Sequence, residues 1–246
     1  MSRDKGPSLS VVIPVYNEAS ILAKSIREVH SYVSAEYDEF EIIIVQSGST
    51  DESAKISDTL GQQLPGIKVI HQSNREGFGS AIRLGFSAAR METVSIYTVD
   101  MAFPLDALKK ASALIGRHEA ILSYRSEDFR RSIFRKLQSV VYNLLVRYIL
   151  GIKAKHVNSA CKMFKRKMLM QLPLESNGWF IDTEIVFWIQ RKKISFATIP
   201  VPLLERQGSQ STVKLVTGIG VFKELWAFRK RNKGHSKPSS SLNYQK

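Results

Sequence analysis

This 246-residue sequence has one cysteine, few acidic residues for its basic content, and no apolar run long enough to cross a membrane. The single cysteine, Cys161, excludes an intrachain disulfide and is typical of a reducing compartment. A membrane-spanning helix takes about 20 mainly apolar residues, and the nearest candidate, 140–152, is interrupted by Asn143 and Arg147. No signal-peptide-like apolar segment precedes the first predicted strand. We therefore expect a cytoplasmic protein that is soluble or peripheral to a membrane.

The charge balance indicates an anionic partner. Lys and Arg total 36 against 22 Asp and Glu, a formal net charge of +14. Such an excess is typical of proteins that bind nucleic acid, anionic lipid or phosphorylated ligands, although a generic basic surface would look the same. No nucleic-acid motif accompanies the basic residues, so we expect no nucleic acid among the partners.

Apolar strand-like segments and helical segments alternate through the first half of the chain. Strands are predicted over 8–16, 40–46, 67–72 and 93–99, and helices over 18–34, 51–62, 77–90 and 104–116. This alternation predicts an α/β fold with a mostly parallel central sheet flanked by helices. Further on we expect a basic amphipathic helix over 127–150, a helix over 180–192 and a strand over 194–203. The polar, basic tail from 229 is predicted to be disordered.

Polar residues follow the first predicted strand at its end. In a parallel sheet such strand ends meet in a crevice where nucleotides bind. Pro14 ends the strand, and Asn17 is a candidate cap for the next helix. Tyr16 offers a ring for stacking on a base, and Glu18 offers an acceptor for a ribose or base donor. A routine strand-to-helix turn is the alternative interpretation.

Two further predicted turns contain glycine. Gly48 allows close backbone approach, and Ser49 or Thr50 is a candidate cap for a helix whose N-terminus favours phosphate. In the next turn, Gly77 and Gly79 are equally consistent with phosphate contact and with close packing.

Asp100 is the only carboxylate at the end of the fourth predicted strand. A lone carboxylate can hold Mg²⁺ or Mn²⁺ together with water and ligand phosphates, because Mg²⁺ needs few protein ligands. A helix-capping role is the alternative. The second strand ends in Gln46 and Ser47, which supply no carboxylate. The predicted crevice is therefore short of acids for a metal.

Together these segments resemble glycosyltransferase family 2, and within it the polyprenyl-phosphate glycosyltransferases, of which dolichyl-phosphate mannose synthase is the best-known member. The family opening V-I-P-x-x-N-E is matched by residues 12–18. The family motif Asp-Asp-Gly-Ser-x-Asp is matched by 46–51, with Gln46 and Ser47 in place of both leading acids. The family Asp-x-Asp is matched by 98–100, with Thr98 in place of the first acid.

The resemblance implies a GT-A-type, Rossmann-like nucleotide-sugar-binding fold. It implies one domain over 1–228, with a nucleotide-binding half at about 8–116 and an acceptor-binding half at about 117–228, followed by the tail 229–246. It also implies transfer of a hexose from a nucleoside-diphosphate sugar to an acceptor, a polyprenyl (dolichyl-type) phosphate or another lipid-linked one, assisted by a metal and with inversion.

The resemblance further implies three groups of site residues. The expected nucleotide-sugar contacts are Pro14, Tyr16, Asn17, Glu18, Gln46, Ser47, Gly48, Ser49, Gly77, Gly79, Thr98 and Asp100. The expected catalytic residues are Asp100, Asp182, Glu184 and Arg206, with Asp100 as the ligand of Mg²⁺ or Mn²⁺. The acceptor phosphate is expected on Arg125, Arg131, Arg135 and Lys162. With a hydroxyl acceptor, Asp182 or Glu184 would be the base.

The neutral residues in acidic positions leave two interpretations open. The protein is either an enzyme with altered donor geometry or nucleotide preference, or a catalytically degenerate family member that acts as a scaffold or regulatory partner. For location, the basic amphipathic stretch 127–150 and the cluster 226–237 predict contact with an anionic membrane surface on the cytoplasmic face, with a membrane-anchored protein as a further candidate partner. A helix that simply packs on the domain is the alternative for 127–150.

Overall fold

The structure, a computed structural model, describes residues 6–126, 133–152, 161–202, 204 and 215–232, without the side chains of 125, 133–139, 215–219 and 221. In chain order the elements are β1 (Leu9–Val15), α1 (Ala19–Glu36), β2 (Phe40–Ser47), α2 (Ser53–Gln63), β3 (Ile67–Gln72), α3 (Phe78–Ala88), β4 (Thr93–Ile96), α4 (Asp106–Ile115), β5 (Ala120–Arg125), α5 (Ile133–Leu150), β6 (Lys162–Lys165), α6 (Arg166–Leu169), α7 (Ile181–Arg191), β7 (Phe196–Val201) and α8 (Leu215–Arg231).

The strands form a seven-stranded sheet in the order β3-β2-β1-β4-β6-β5-β7. β1 pairs in parallel with β2 and β4, and β2 pairs in parallel with β3. β6 runs antiparallel to both β4 and β5, while β7 is parallel to β5. Every strand in this sheet except β6 therefore points the same way. The predicted α/β fold with a mostly parallel sheet is confirmed, and strands from both predicted halves share it.

Hydrophobic clusters cover both faces of the sheet. Val12 of β1 belongs to the cluster that contains Phe86 of α3, whereas Val11 and Ile13 belong to the cluster that contains Leu22 of α1. Alternate residues of a strand point to opposite faces, so a strand covered on both faces must be apolar throughout. Burying each such Val, Leu or Ile side chain contributes about 1.5–3 kcal/mol.

Several predicted boundaries differ from the observed ones. α1 begins at Ala19 and α2 at Ser53, with Glu18 and Glu52 as N-cap residues that make no side-chain capping hydrogen bond. The predicted helix caps at Asn17, Ser49 and Thr50 were therefore wrong, and these side chains bond to one another's loops instead. α8 continues through Arg231, so the predicted tail boundary at 229 falls inside a helix.

β4 is shorter than the predicted strand because the chain turns directly after it. The N–H of Met101 donates to the carbonyl of Thr98 at 3.0 Å, and Met101 has a φ of 47°. None of the helices in the described part of the chain has both the length and the apolarity needed to cross a bilayer.

Candidate active site

One edge of the sheet collects the ends of β1 to β5 and β7 and the start of β6; we call it the carboxyl edge. Ile96 at the end of β4 pairs with Lys162 at the start of β6, and Leu122 of β5 pairs with the same lysine. Because β6 alone runs in the opposite direction, its first residue lies where its neighbours end. The topology thus brings most of the predicted site residues to this one edge.

The loops that follow β1 and β2 are joined by a set of hydrogen bonds. The Oδ1 of Asn17 accepts from the N–H of Thr50 at 2.8 Å, and the N–H of Asn17 donates to the Oγ of Ser49 at 3.0 Å. Beside them, the carboxylate of Asp51 accepts from the backbone N–H groups of Ala19 at 3.1 Å and Ser53 at 3.0 Å. These bonds fix the two loops relative to each other.

The protonation of Asp51 reflects these bonds. Burial opposes the charged form, but hydrogen bonds from the Ser53 side chain and from the backbone outweigh it and hold the pKa of Asp51 below its ordinary value. Asp51 therefore stays charged, and its bonds to both loops persist, at any pH near neutrality.

The loop after β3 closes against the same two loops. Gly48 has a φ of 60°, and a Cβ placed on it would lie 2.6 Å from the carbonyl carbon of Asn74 and 2.7 Å from the nitrogen of Arg75. The guanidinium of Arg75 lies over the ring of Tyr16, 4.1 Å from its centroid. Gly48 is thus required for the contact between loops, and Tyr16 already carries a planar cation on one face.

Below Gly48, the end of β2 holds two polar side chains in unusual surroundings. Gln46 and Ser47 are 3% and 5% exposed. The Oε1 of Gln46 accepts from the N–H of Gly48 at 3.2 Å, but the Nε2 of Gln46 and the Oγ of Ser47 have no hydrogen-bond partner in the structure. Buried polar groups without partners are costly, and at a ligand crevice they point to a partner supplied by the ligand.

Asp100 lies just beyond β4, half-buried in the turn that Met101 closes. The hydroxyl of Thr98 donates to the Oδ1 of Asp100 at 2.6 Å. Thr98 stands where the sequence comparison expected a second acid, so the carboxylate gains a hydrogen-bond donor instead of a repelling neighbour. This orients the Asp100 carboxylate.

On the other side of the carboxyl edge, Lys162 and Asp182 form a buried ion pair. The Nζ of Lys162 lies 2.8 Å from the Oδ1 of Asp182, and their side chains are 2% and 16% exposed. Asp182 lies in the first turn of α7, where a negative charge is stabilised by the helix dipole. The ion pair holds Asp182 at the carboxyl edge, beside Lys162, which was predicted to bind the acceptor phosphate.

Glu184, two residues later in the same first turn of α7, has a different environment from Asp182. It is fully buried, and its carboxylate oxygens accept from the backbone N–H groups of Glu175 at 3.0 Å and Ser176 at 2.8 Å. Its carboxylate thus anchors the segment 174–178.

That segment also explains the glycines of the loop before α3. A Cβ on Gly77 would lie 2.4 Å from the carbonyl oxygen of Asn177, and a Cβ on Gly79 would lie 2.4 Å from that of Ser176. The N–H of Gly79 donates to Asn177 at 2.8 Å. Of the two interpretations that the sequence left open, these contacts support close packing, and donor contact by these glycines stays a prediction.

Several predicted site residues fall outside this description. Arg131 and Arg206 lie outside the described residues. For Arg125 at the end of β5 and Arg135 in α5, only the backbone is described.

Two other predicted residues, Pro14 and Glu18, lie in and after β1. Pro14 is the next-to-last residue of β1 and pairs with Val45, and the N–H of Glu18 donates to the Oγ of Ser53 at 2.9 Å.

Comparison with known proteins identifies the family to which this chain belongs. The family model for glycosyl transferase family 2 matches residues 10–172, which include every strand end from β1 to β5. The chain belongs to glycosyl transferase family 2. The match begins in β1 and covers Gln46, Ser47 and Asp100, so the family resemblance of the sequence is confirmed.

Among the family 2 relatives, glycosyltransferase AglD of Haloferax volcanii is 31% identical over 207 residues, which are 80% of this chain and 33% of AglD. The chain thus spans a third of that relative's length. The dolichyl-phosphate beta-glucosyltransferase of Saccharomyces cerevisiae is 26% identical over 248 residues, covering 90% of this chain and 74% of the yeast protein.

Solved structures support the GT-A-type fold. Mannosyl-3-phosphoglycerate synthase from Rubrobacter xylanophilus superposes with a TM-score of 0.71 at 18% identity, over 96% of this chain and 78% of that one. Glucosyl-3-phosphoglycerate synthase from Mycobacterium tuberculosis, solved with Mn²⁺, UDP-glucose and phosphoglyceric acid, gives a TM-score of 0.67 at 18% identity, over 92% of this chain and 80% of that one. At this identity the likeness shows the shared fold.

Two features of this family 2 site were missed in the sequence. The Arg75–Tyr16 stack joins loops about 60 residues apart, and no local pattern signals it. The hydrogen bonds between Glu184 and the 174–178 segment have only a weak signal in the sequence, an acidic residue inside the mainly apolar helix I-D-T-E-I-V-F-W-I. If that helix is buried, the carboxylate of Glu184 needs hydrogen-bond donors.

Proposed function

We propose that this protein transfers a hexose from a nucleoside-diphosphate sugar to a polyprenyl phosphate at a membrane surface. The observation that carries the proposal is the convergence of the loops after β1, β2 and β3 around Tyr16 and Gln46 at the carboxyl edge of a family 2 fold, where Asp100 follows the neighbouring strand β4. Four relatives that match 77% or more of this chain are named dolichyl-phosphate beta-glucosyltransferases, in yeast, human and Trichomonas vaginalis. Two others, which match 65% and 88% of the chain, are named undecaprenyl-phosphate 4-deoxy-4-formamido-L-arabinose transferases.

The proposed donor site uses the two sides of the loop cluster. Tyr16 supplies an aromatic surface for the base, and the buried Nε2 of Gln46 supplies a donor that a base or ribose acceptor would satisfy. Arg75 carries a positive charge beside that ring, where it can bind an acceptor oxygen of the nucleotide.

The residues present fit a divalent cation only when it is shared with the donor. Among the described residues, no group of three or more His, Cys, Asp or Glu could hold a metal ion by itself. Asp100 can offer one oriented carboxylate, and Mg²⁺ commonly completes its shell with substrate phosphates and water. We therefore propose that Asp100 holds Mg²⁺ or Mn²⁺ against the donor diphosphate, where the cation supplies charge for the leaving group.

In the proposed reaction an oxygen of the acceptor phosphate attacks C1 of the sugar. The new bond joins C1 to that oxygen, and the bond from C1 to the diphosphate breaks, so that the nucleoside diphosphate leaves with the electron pair. An acceptor phosphate is already anionic, and no proton must be removed. The protein therefore acts by orienting both reactants and by stabilising charge.

Asp182 becomes important if the acceptor is a hydroxyl. Its carboxylate is partly exposed at the carboxyl edge and oriented by Lys162 at 2.8 Å. Glu184 is buried and already accepts two backbone N–H groups. This difference favours Asp182 as the general base.

The proposal is tested with purified protein, a panel of nucleoside-diphosphate sugars, and a short-chain polyprenyl phosphate, with and without Mn²⁺. We expect a glycosylated lipid phosphate by mass spectrometry, and a loss of about 100-fold or more in kcat/KM for Asp100→Asn. Glu92→Gln is the matched control, because Glu92 is exposed and precedes β4 at the opposite edge of the sheet. Donor binding without turnover for any donor and acceptor would support the scaffold alternative instead.

A further inference from the structure

Helices α5 and α8 carry apolar side chains that the rest of the described chain does not cover. On α5, Val140, Val141, Leu144 and Tyr148 are 54%, 47%, 58% and 90% exposed. Leu144 follows Val140 and Val141 by four and three residues, and Tyr148 follows Leu144 by four, so all four lie on one side of the helix. On α8, Phe222 and Trp226 lie one turn apart and are 46% and 58% exposed. We call these six residues the α5–α8 face.

The two helices are neighbours, so their apolar residues belong to one region of the surface. α5 and α8 pack against each other. The guanidinium of Arg229 in α8 donates to the carbonyl oxygen of Ile149 in α5. Exposed apolar regions of this kind mark interaction sites in proteins.

The exposed charged side chains that the structure describes on α5 and α8 are all basic. Arg147, Lys223 and Lys230 are exposed on these two helices. α5 contains no Asp or Glu, and α8 contains only Glu224. That carboxylate is directed inward, because a Cβ added to Gly178 would collide with it. The face therefore combines apolar side chains with a positive rim.

We propose that the α5–α8 face rests on an anionic phospholipid bilayer, with its apolar side chains in the headgroup region and its basic rim on lipid phosphates. An amphipathic helix with basic and aromatic residues binds such an interface by this combination of forces. A second copy of the chain fits less well, because a two-fold contact through this face would bring the positive rims together.

The position of the face suits a lipid-borne acceptor. α5 connects the end of β5 to the start of β6, and both lie at the carboxyl edge. On its inner side the hydroxyl of Tyr142 lies 2.5 Å from the Oγ1 of Thr183, the residue next to Asp182. A bilayer under α5 would thus lie beside the acceptor side of the site. This inference rests on the proposed function because it takes the lipid-linked acceptor from it. The vesicle-binding test below does not depend on that acceptor.

The test is co-sedimentation of the full chain with vesicles of phosphatidylcholine, with and without phosphatidylglycerol, in the absence of donor and acceptor. We expect binding to the anionic vesicles. The double variant Leu144→Ser/Trp226→Ser should lower the partition coefficient by about tenfold or more, because it removes exposed apolar groups that the bilayer would bury. Lys223→Gln and Lys230→Gln should each lower it by about fivefold, on phosphatidylglycerol vesicles only.

Met170→Ser is the matched control, since Met170 is 42% exposed and follows β6 and α6 at the opposite edge of the sheet. It should bind vesicles like the wild type, and thermal unfolding checks that every variant is folded. The inference is overturned if the folded double variant binds like the wild type. It is also overturned if the wild type ignores vesicles but self-associates through this face. Sugar transfer to an acceptor in detergent without any vesicle binding would leave the proposed function standing and remove this inference.

Discussion

Replacing Gln46 by Met should stabilise the unliganded protein and weaken nucleotide binding. Met has nearly the same length and volume as Gln and no amide. It removes the Nε2 that has no hydrogen-bond partner in a side chain only 3% exposed. If the Gln46 amide serves a ligand and destabilises the fold, its removal should raise the free energy of unfolding and lower the affinity for nucleotide.

The size of the effect follows from two opposing contributions. Relieving a buried, unsatisfied donor is worth about 1–3 kcal/mol, and losing the bond from the N–H of Gly48 at 3.2 Å costs about 0.5–1.5 kcal/mol. The expected net stabilisation is about 1 kcal/mol, which for a domain of this size raises Tm by roughly 2–4 °C. Losing one hydrogen bond to the nucleotide should weaken its Kd by about fivefold.

The measurements are urea denaturation without ligand and calorimetric titration with the donor that binds best. Gln46→Glu is the matched comparison. It keeps an acceptor for Gly48 but places a carboxylate oxygen where Nε2 was, so it should destabilise the fold by a few kcal/mol. If Gln46→Met lowers the free energy of unfolding by more than about 1 kcal/mol and leaves the nucleotide Kd unchanged, the amide is structural and the reasoning is refuted.

Two further predictions concern the supports of the site. Lys162→Met alone should cost about 3–5 kcal/mol, because it leaves Asp182 as an uncompensated, mostly buried charge, whereas the double variant Lys162→Met/Asp182→Leu should recover most of that loss in urea denaturation. Equal stability of the single and double variants would contradict this. Gly79→Ala should destabilise by a few kcal/mol in thermal unfolding, because its Cβ would lie 2.4 Å from a backbone oxygen. Gly116→Ala, with nothing within 4 Å of the added Cβ, should leave Tm nearly unchanged, and similar behaviour of the two alanine variants would count against the packing role of Gly79.

The sequence allowed the first half of the fold to be predicted because its strands are covered on both faces. β1 and β2 are apolar almost throughout, and such runs are visible without any alignment. β6 was missed because it has four residues and begins with Lys162, a buried residue whose charge is paired with Asp182. A charge compensated by a residue far along the chain has no local signature.

Contacts between residues distant in the sequence also limit what could be predicted of the site. Asp100 and Gln46 could be predicted as site residues because each follows or ends an apolar strand, and the structure places both at the carboxyl edge. The packing of Gly79 and the backbone contacts of Glu184 depend on residues 174–178, about a hundred positions beyond the glycine. Whether such residues touch a ligand or support the fold is decided by tertiary contacts.

The strand pairs of the sheet also differ in the length of chain that each of them closes. β1 pairs with β2, and β2 with β3, across one helix each, as Leu9 with Phe40 and Ile42 with Ile67, so these pairs close short loops. The β1–β4 pair joins Leu9 to Thr93 and the β4–β6 pair joins Ile96 to Lys162, so both pairs close longer loops. Closing a longer loop costs more chain entropy. We therefore expect the loops around Tyr16 and Gln46 to form early in folding, and the Lys162–Asp182 pair to form later, once β6 has joined the sheet.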